Sequence, residues 1–170
     1  DKPLSTQDWW SNDSRAQKSA KIAKHKMVPQ ASVKEGVLQI RRTEGSDHAA
    51  VARTKVQFQD AVITCKFLLA ENQKFSVNIN DPNCKTVHAG HLCRVEVSTK
   101  SVVIQDQKTG TMANEYRKLK ESGASKAELA KRVKGKSKAT KRATEASQWH
   151  ELKILLEGEK IAVQIDNEFV

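Results

Sequence analysis

Between Val37 and Asp106 apolar and polar residues alternate with a period of two, and the apolar positions are rich in β-branched side chains. That period sends successive side chains to opposite faces of an extended chain, which a helix cannot do. Gly36-Val37-Leu38-Gln39-Ile40 predicts a strand leaving a turn, Ala61 to Leu69 a longer strand, and Phe75-Ser76-Val77-Asn78-Ile79 a cleanly alternating one. Leu92–Val97 and Ser101–Gln105 flank Ser98-Thr99-Lys100, which reads as a hairpin turn. A second hairpin is expected from Trp149–Leu156 and Lys160–Ile165 around Glu157-Gly158-Glu159, and Phe169-Val170 begin a further strand. Many short strands with turn signals between them predict an all-β, antiparallel sandwich or barrel.

Segment 113–145 breaks this rhythm. Ala113 to Lys120 is helix-forming, Gly123 is a stop, and Ser125-Lys126-Ala127-Glu128 is a capping box. A basic helical hairpin inserted between two strands is the expected form. Its second half, Lys134 to Arg142, has like charges and no apolar period, so it is expected to fray into a solvated arm. Residues 14–26, with Ala16, Ala20 and Ala23 among lysines, suggest a short basic helix or an unstructured lead-in. The domain division that follows is 1–35 as a basic lead-in with the first edge elements, and 36–170 as the β-sandwich, carrying the insertion at 113–145. Because its last strand has barely begun at Val170, the sandwich is expected to continue beyond that residue.

The same segments hold the charge. Among 170 residues, 30 Lys and Arg face 20 Asp and Glu, for a net +10. Residues 1–26 contribute +3, residues 113–145 contribute +7, and the remainder has 13 of each sign. The body is therefore neutral, and a nucleic-acid-binding label would describe an appendage. The longest apolar runs, Phe67–Ala70 and Ile154–Leu156, are far too short to cross a bilayer as a helix. Asp1-Lys2-Pro3-Leu4 is not a signal peptide; with no initiating Met, an export signal is expected to have been removed. The three cysteines have no zinc-like spacing. Cys84 and Cys93 bracket a short loop and would pair in an oxidising compartment, the alternative being three free thiols.

Polar chemistry concentrates in Asn78–Asn83, His88–Arg94 and Gln105–Gly110. If Phe75–Ile79 and Leu92–Val97 are neighbours, their connecting loop gathers Asn80, Asp81, His88 and His91 at one rim. Alternation puts Asn78 and Asn80 opposite in face to Val77 and Ile79, and Arg94 and Glu96 opposite to Val95 and Val97. Such a row faces water or lines a polar groove, because burying it dry is costly. Planar amide, guanidinium and carboxylate groups in a groove suit sugar hydroxyls. His88 and His91, three apart, fit a metal pair or an acid–base couple as well as a merely polar loop, and His48 is placed to join them from an adjacent strand. Asp106 fits either the turn to Gly110 or a base. Trp9-Trp10 and Trp149 read first as packing residues, with sugar stacking as the alternative.

These residues together resemble a known family. A Trp ahead of Gly36-Val37-Leu38, Phe58-Gln59-Asp60 ahead of a long strand, and His88-Ala89-Gly90-His91-Leu92-Cys93-Arg94 come in order. Val103-Ile104-Gln105-Asp106-Gln107-Lys108-Thr109-Gly110, Trp149-His150-Glu151-Leu152, Gly158 and Val163-Gln164-Ile165-Asp166-Asn167 complete the series. The chain is similar over 36–112 and 146–170 to the 3-keto-disaccharide hydrolase domain family. It departs at His88-Ala89-Gly90, where many relatives carry Asn-Ser-Gly, and at Val103, where many carry Glu.

The resemblance implies a concanavalin A-like jelly-roll sandwich, secreted or in the periplasm of a bacterium, that cleaves glycosidic bonds of sugars oxidised at C3. In this sequence it implies Arg94 and Lys108 as carbonyl or oxyanion stabilisers, His91 or His88 as base, and Asp106 as orienter or acid. Asn78, Asn80, Glu96, Gln105 and His48 would bind substrate. No cofactor is evident, and a divalent metal remains an open alternative. Carbohydrate is the expected partner, with an acidic polymer at 113–145 as a second. A noncatalytic sugar-binding module and a polyanion-adhering protein are the competing classes.

Overall fold

The computed structural model describes residues 9–11, 29–42, 44, 46 and 48–170. The basic helix expected over 14–26 lies outside the described residues. The chain forms two compact units, Asp1–Phe58 and Gln59–Val170. In the first, β1 (Trp9–Ser11) pairs antiparallel with β4 (Ala52–Thr54), and β2 (Ala31–Lys34) forms a hairpin with β3 (Val37–Ile40). Trp9 and Trp10 thus stand opposite Thr54 and Arg53 in a short ribbon.

The second unit holds two four-stranded antiparallel sheets. One has the order β12 (Glu168–Phe169), β11 (Lys160–Ile165), β10 (Trp149–Glu157), β5 (Ala61–Leu68). The other has the order β6 (Lys74–Asn80), β7 (His91–Ser98), β8 (Ser101–Asp106), β9 (Ser137–Lys141). The period of two explains how they meet. From β5, β10 and β11, Ile63, Phe67, Leu152, Ile154, Val163 and Ile165 enter one cluster with Phe75, Val77, Val95, Val97, Val102 and Ile104 from β6, β7 and β8. Leu152, Ile154, Val95, Val97, Val163 and Ile165 are fully buried. Each such side chain contributes roughly 1.5–3 kcal/mol. This is the all-β sandwich that the alternation predicts.

Between β8 and β9 run two short helices, α1 (Asn114–Glu121) and α2 (Lys126–Arg132). The capping box is formed: Glu128 N–H donates to Ser125 Oγ at 3.2 Å, and Ser125 N–H donates to Glu128 Oε2 at 2.8 Å. The solvated arm expected over 134–142 is not what forms. Ser137–Lys141 is β9, paired with β8 from Ser101↔Lys141 to Gln105↔Ser137. The reason is its place at the sheet's edge. Four of its five residues are exposed, so no apolar face is needed, and edge lysines disfavour pairing with another chain. After β9, Arg142 bonds Glu168 at 2.9 Å, tying the end of one sheet to the edge strand of the other.

The Cys84–Cys93 bridge is absent: all three cysteines are free thiols. Cys84 Sγ lies 3.3 Å from Thr86 Oγ1. Cys93 stands opposite Asp106 on the core side of β7, where burial, then the Asp106 charge, push its thiol pKa up.

Candidate functional site

The register of β6–β9 builds a polar row across the outer face of the sheet. Asn78 stands opposite Arg94, Arg94 opposite Gln105, and Gln105 opposite Ser137. Arg94 Nε donates to Asn78 Oδ1 at 2.8 Å. That bond fixes the guanidinium plane, and the two terminal nitrogens have no partner among the described residues, so they remain free to donate. Two positions along, Glu96 stands between Ser76 and Val103 and accepts from Lys74 Nζ at 3.1 Å. Glu96 is the sole carboxylate that the register of these strands places on this face.

A rim lies one step beyond the row. The register shifts between Ile79 and Asn80, which leaves Asn80 opposite His91 and interrupts simple alternation there. A 3-10 turn over His88–Gly90 leads into β7, with Ala89 at φ 51° and Gly90 at φ 72°. Gly90 also lies against Asp81, where a Cβ would come within 2.2 Å of the carbonyl oxygen. The turn therefore holds His88 and His91 with ring centroids 6.4 Å apart and planes inclined by 26°. His88 N–H donates to Met112 O at 2.8 Å, which joins this rim to the loop after β8.

That loop docks on the same strand end. Gln107 and Lys108 N–H both donate to Leu92 O, at 2.9 and 2.8 Å. Asp106 closes the turn: its Oδ1 accepts from Thr109 N–H at 2.9 Å and its Oδ2 accepts from the Thr109 hydroxyl, with Lys136 Nζ at 3.6 Å. Burial alone would raise the Asp106 pKa, but the Thr109 bonds and Lys136 outweigh it and hold the carboxyl below its usual range. Gly110 makes the turn tight, since a Cβ there would come within 2.2 Å of Asp106 O.

The residues singled out from sequence thus fall into separate groups. Asn78, Arg94 and Gln105 share one row, with Glu96 next to it on the same face. His88, His91 and Asn80 form the rim. Asp106 pairs with Cys93 and so points to the side opposite Arg94, with its oxygens engaged in its own turn. Lys108 lines a cleft of about 370 Å³ with Thr86, Thr109, Asn114, Glu115 and Arg132, toward the helices. His48 belongs to the first unit, where its Nδ1 lies 2.8 Å from Ala49 O. Among the described residues no group of three or more His, Cys, Asp and Glu could hold a metal ion.

Sequence reasoning missed Lys74, Ser76 and Ser137 on the outer face, and Gln107. Lys74 and Ser76 share the alternation of Asn78 and were legible on that ground; Ser137 carries no apolar signal. Gln107 is almost fully buried, with its Oε1 lacking a hydrogen-bond partner. His150, by contrast, is a structural group. Its Nδ1 lies 2.7 Å from Asp166 Oδ2 and its Nε2 lies 3.1 Å from Glu145 O.

Searches of curated proteins and of solved structures each returned no match. A family model does match, over residues 4–170, so it takes in both the opening and the 113–145 segment that the motifs left uncovered. On that match the chain belongs to the 3-keto-alpha-glucoside-1,2-lyase-like domain family.

Proposed function

We propose that the outer face of β6–β8 binds a saccharide and that the chain cleaves the glycosidic bond of a 3-keto-glycoside by elimination. The observation that carries this reading is Arg94, anchored through Nε to Asn78 and offering its two terminal nitrogens as donors beside Gln105. A ketone at C3 acidifies the C2 proton. A base takes that proton, C1=C2 forms, the bond from C1 to the leaving oxygen breaks, and a proton passes to that oxygen. Arg94 donates to the ketone oxygen as enolate charge develops there. A neutral imidazole of His88 or His91, at the adjoining rim, accepts the C2 proton. Asp106 acts by position, holding the turn that carries Lys108.

Elimination is favoured over two-carboxylate hydrolysis by the charge inventory of the face. Hydrolysis of that type uses a pair of carboxyl groups about 5–10 Å apart across the sugar. This face carries one, Glu96, and Lys74 already engages it.

The test is incubation of the protein with a panel of aryl 3-keto-glucosides. Release of the phenol together with an unsaturated, ultraviolet-absorbing ketone is expected. Phenol released with a saturated keto-sugar would replace elimination with hydrolysis, and no release from any member would remove the enzymatic reading.

A further inference from the structure

The sheet across the core from the Arg94 row presents an outer face of its own. His150 packs on Phe67, and Leu152 and Ile154 enter the core, so Trp149, Glu151 and Lys153 of β10 turn outward. The unbroken register with β5 sets them opposite Leu68, Lys66 and Thr64. On β11, Val163 and Ile165 are fully buried, so Gln164 faces outward, between Lys153 and Phe169 of β12. Trp149 is 54% exposed and Phe169 is 69% exposed, so neither ring is used up in the core. By strand geometry the two rings stand about 13 Å apart along the strands and about 10 Å apart across them, with Glu151, Lys153 and Gln164 between. Lys66 stands opposite Glu151 and Lys160 opposite Glu157, while Lys153 Nζ donates to Asn167 Oδ1 at 3.3 Å. Lys153 is thus the one excess charge that the register of these strands places on this face.

We propose that this face is a second saccharide site, separate from the Arg94 row, and that it takes a neutral polysaccharide of equatorially linked pyranose rings. Such rings carry axial C–H bonds on both faces, and these slightly positive hydrogens meet the negative face of an aromatic ring. The equatorial hydroxyls at the ring edge both donate and accept, which suits the carboxylate, ammonium and amide between Trp149 and Phe169. The near-balance of charge complements a neutral chain and gives a polyanion little to hold. A protein partner fits less well, because charged groups separate the two aromatic rings, whereas the middle of a protein interface is depleted of charge. The site needs no oxidised sugar and no reaction, so it stands apart from the elimination proposed for the Arg94 face.

Calorimetric titration of the full chain with cellohexaose and with maltohexaose tests this. Cellohexaose should bind, and maltohexaose, whose linkages are axial at one end of each ring, should bind at least about fivefold less tightly. Trp149→Ala and Phe169→Ala should each weaken cellohexaose by about fivefold or more, and Trp149→Phe should keep most of the affinity. Arg94→Ala should bind cellohexaose like the parent, which separates failure of this site from failure of the Arg94 reading. Thermal unfolding checks that each variant is folded. No binding of cellohexaose by the parent, unchanged affinity in either folded alanine variant of the two aromatic residues, loss of binding in Arg94→Ala, or equal affinity for maltohexaose would each overturn the proposal. So would a parent chain that sediments as a dimer and becomes a monomer in both of those variants, since a second copy would then cover the face.

Discussion

His150 illustrates how one side chain can fix several segments. Asp166 carboxylate and Glu145 carbonyl are both acceptors, so the ring satisfies both only as the imidazolium, with each nitrogen donating. The Asp166 bond, aided by the Glu145 carbonyl and only partly opposed by burial, raises the His150 pKa above its ordinary 6.5. The Glu151 N–H, then His150, lower the Asp166 pKa below its ordinary 3.8. The signs give a window. The histidine's contribution is complete below its ordinary value and is lost as pH rises through the raised one. The aspartate's is complete above its ordinary value and is lost as pH falls through the lowered one. Thermal midpoints should therefore plateau between these two ordinary values and decline on the alkaline side. His150→Gln should lower the plateau by roughly 2–4 °C and remove the alkaline decline, as measured by calorimetry across pH; an unchanged alkaline decline would contradict this role.

Local geometry gives opposite expectations at the rim and in the turn after β8. Ala89 sits at φ 51°, a conformation glycine adopts at lower cost, so Ala89→Gly should be neutral or stabilising by up to about 1 kcal/mol. Gly110→Ala would drive a Cβ into the Asp106 carbonyl and should destabilise by about 2 kcal/mol or more, read by urea unfolding. The polar row was legible residue by residue, since alternation alone sets Asn78 and Arg94 apart from Val77 and Val95. Asp106 was not: turn and base use the same side chain, and only the Thr109 bonds distinguish them.

Elements differed in legibility for a physical reason. A strand with one face in the core writes a period of two into its sequence, and β5, β6, β7, β8, β10 and β11 all do so. β9 buries neither face, so Lys134 to Arg142 reads as a solvated charge run although its backbone is paired to β8. That error hid Ser137 at the end of the Arg94 row. The bulge at Ile79/Asn80 was equally silent in sequence, and it is what brings Asn80 opposite His91. α2 was found from its cap, and the cap should be its main local support. Ser125→Ala should cost about 1 kcal/mol within Lys126–Arg132, seen as faster amide exchange there, with the unfolding midpoint of the sandwich little changed. A large fall in the global midpoint would show that the helix is an integral part of the core.

At the scale of the molecule, the partition of charge and the arrangement of sheets describe one design. The segments of zero net charge supply the two-sheet core and Asn78, Arg94 and Gln105 of the row, and the basic segment returns to the same sheet as its edge. The family match over 4–170 is consistent with 113–145 belonging to the domain. The proposed elimination depends on Arg94 as the group that meets developing charge. The most direct measurement is phenol release from an aryl 3-keto-glucoside by the parent and by Arg94→Ala at saturating substrate. The parent should release phenol with an equal amount of unsaturated ketone, and the variant should be slower by about 100-fold or more with its thermal midpoint retained. An Arg94→Ala variant that turns over at the parental rate would contradict the account.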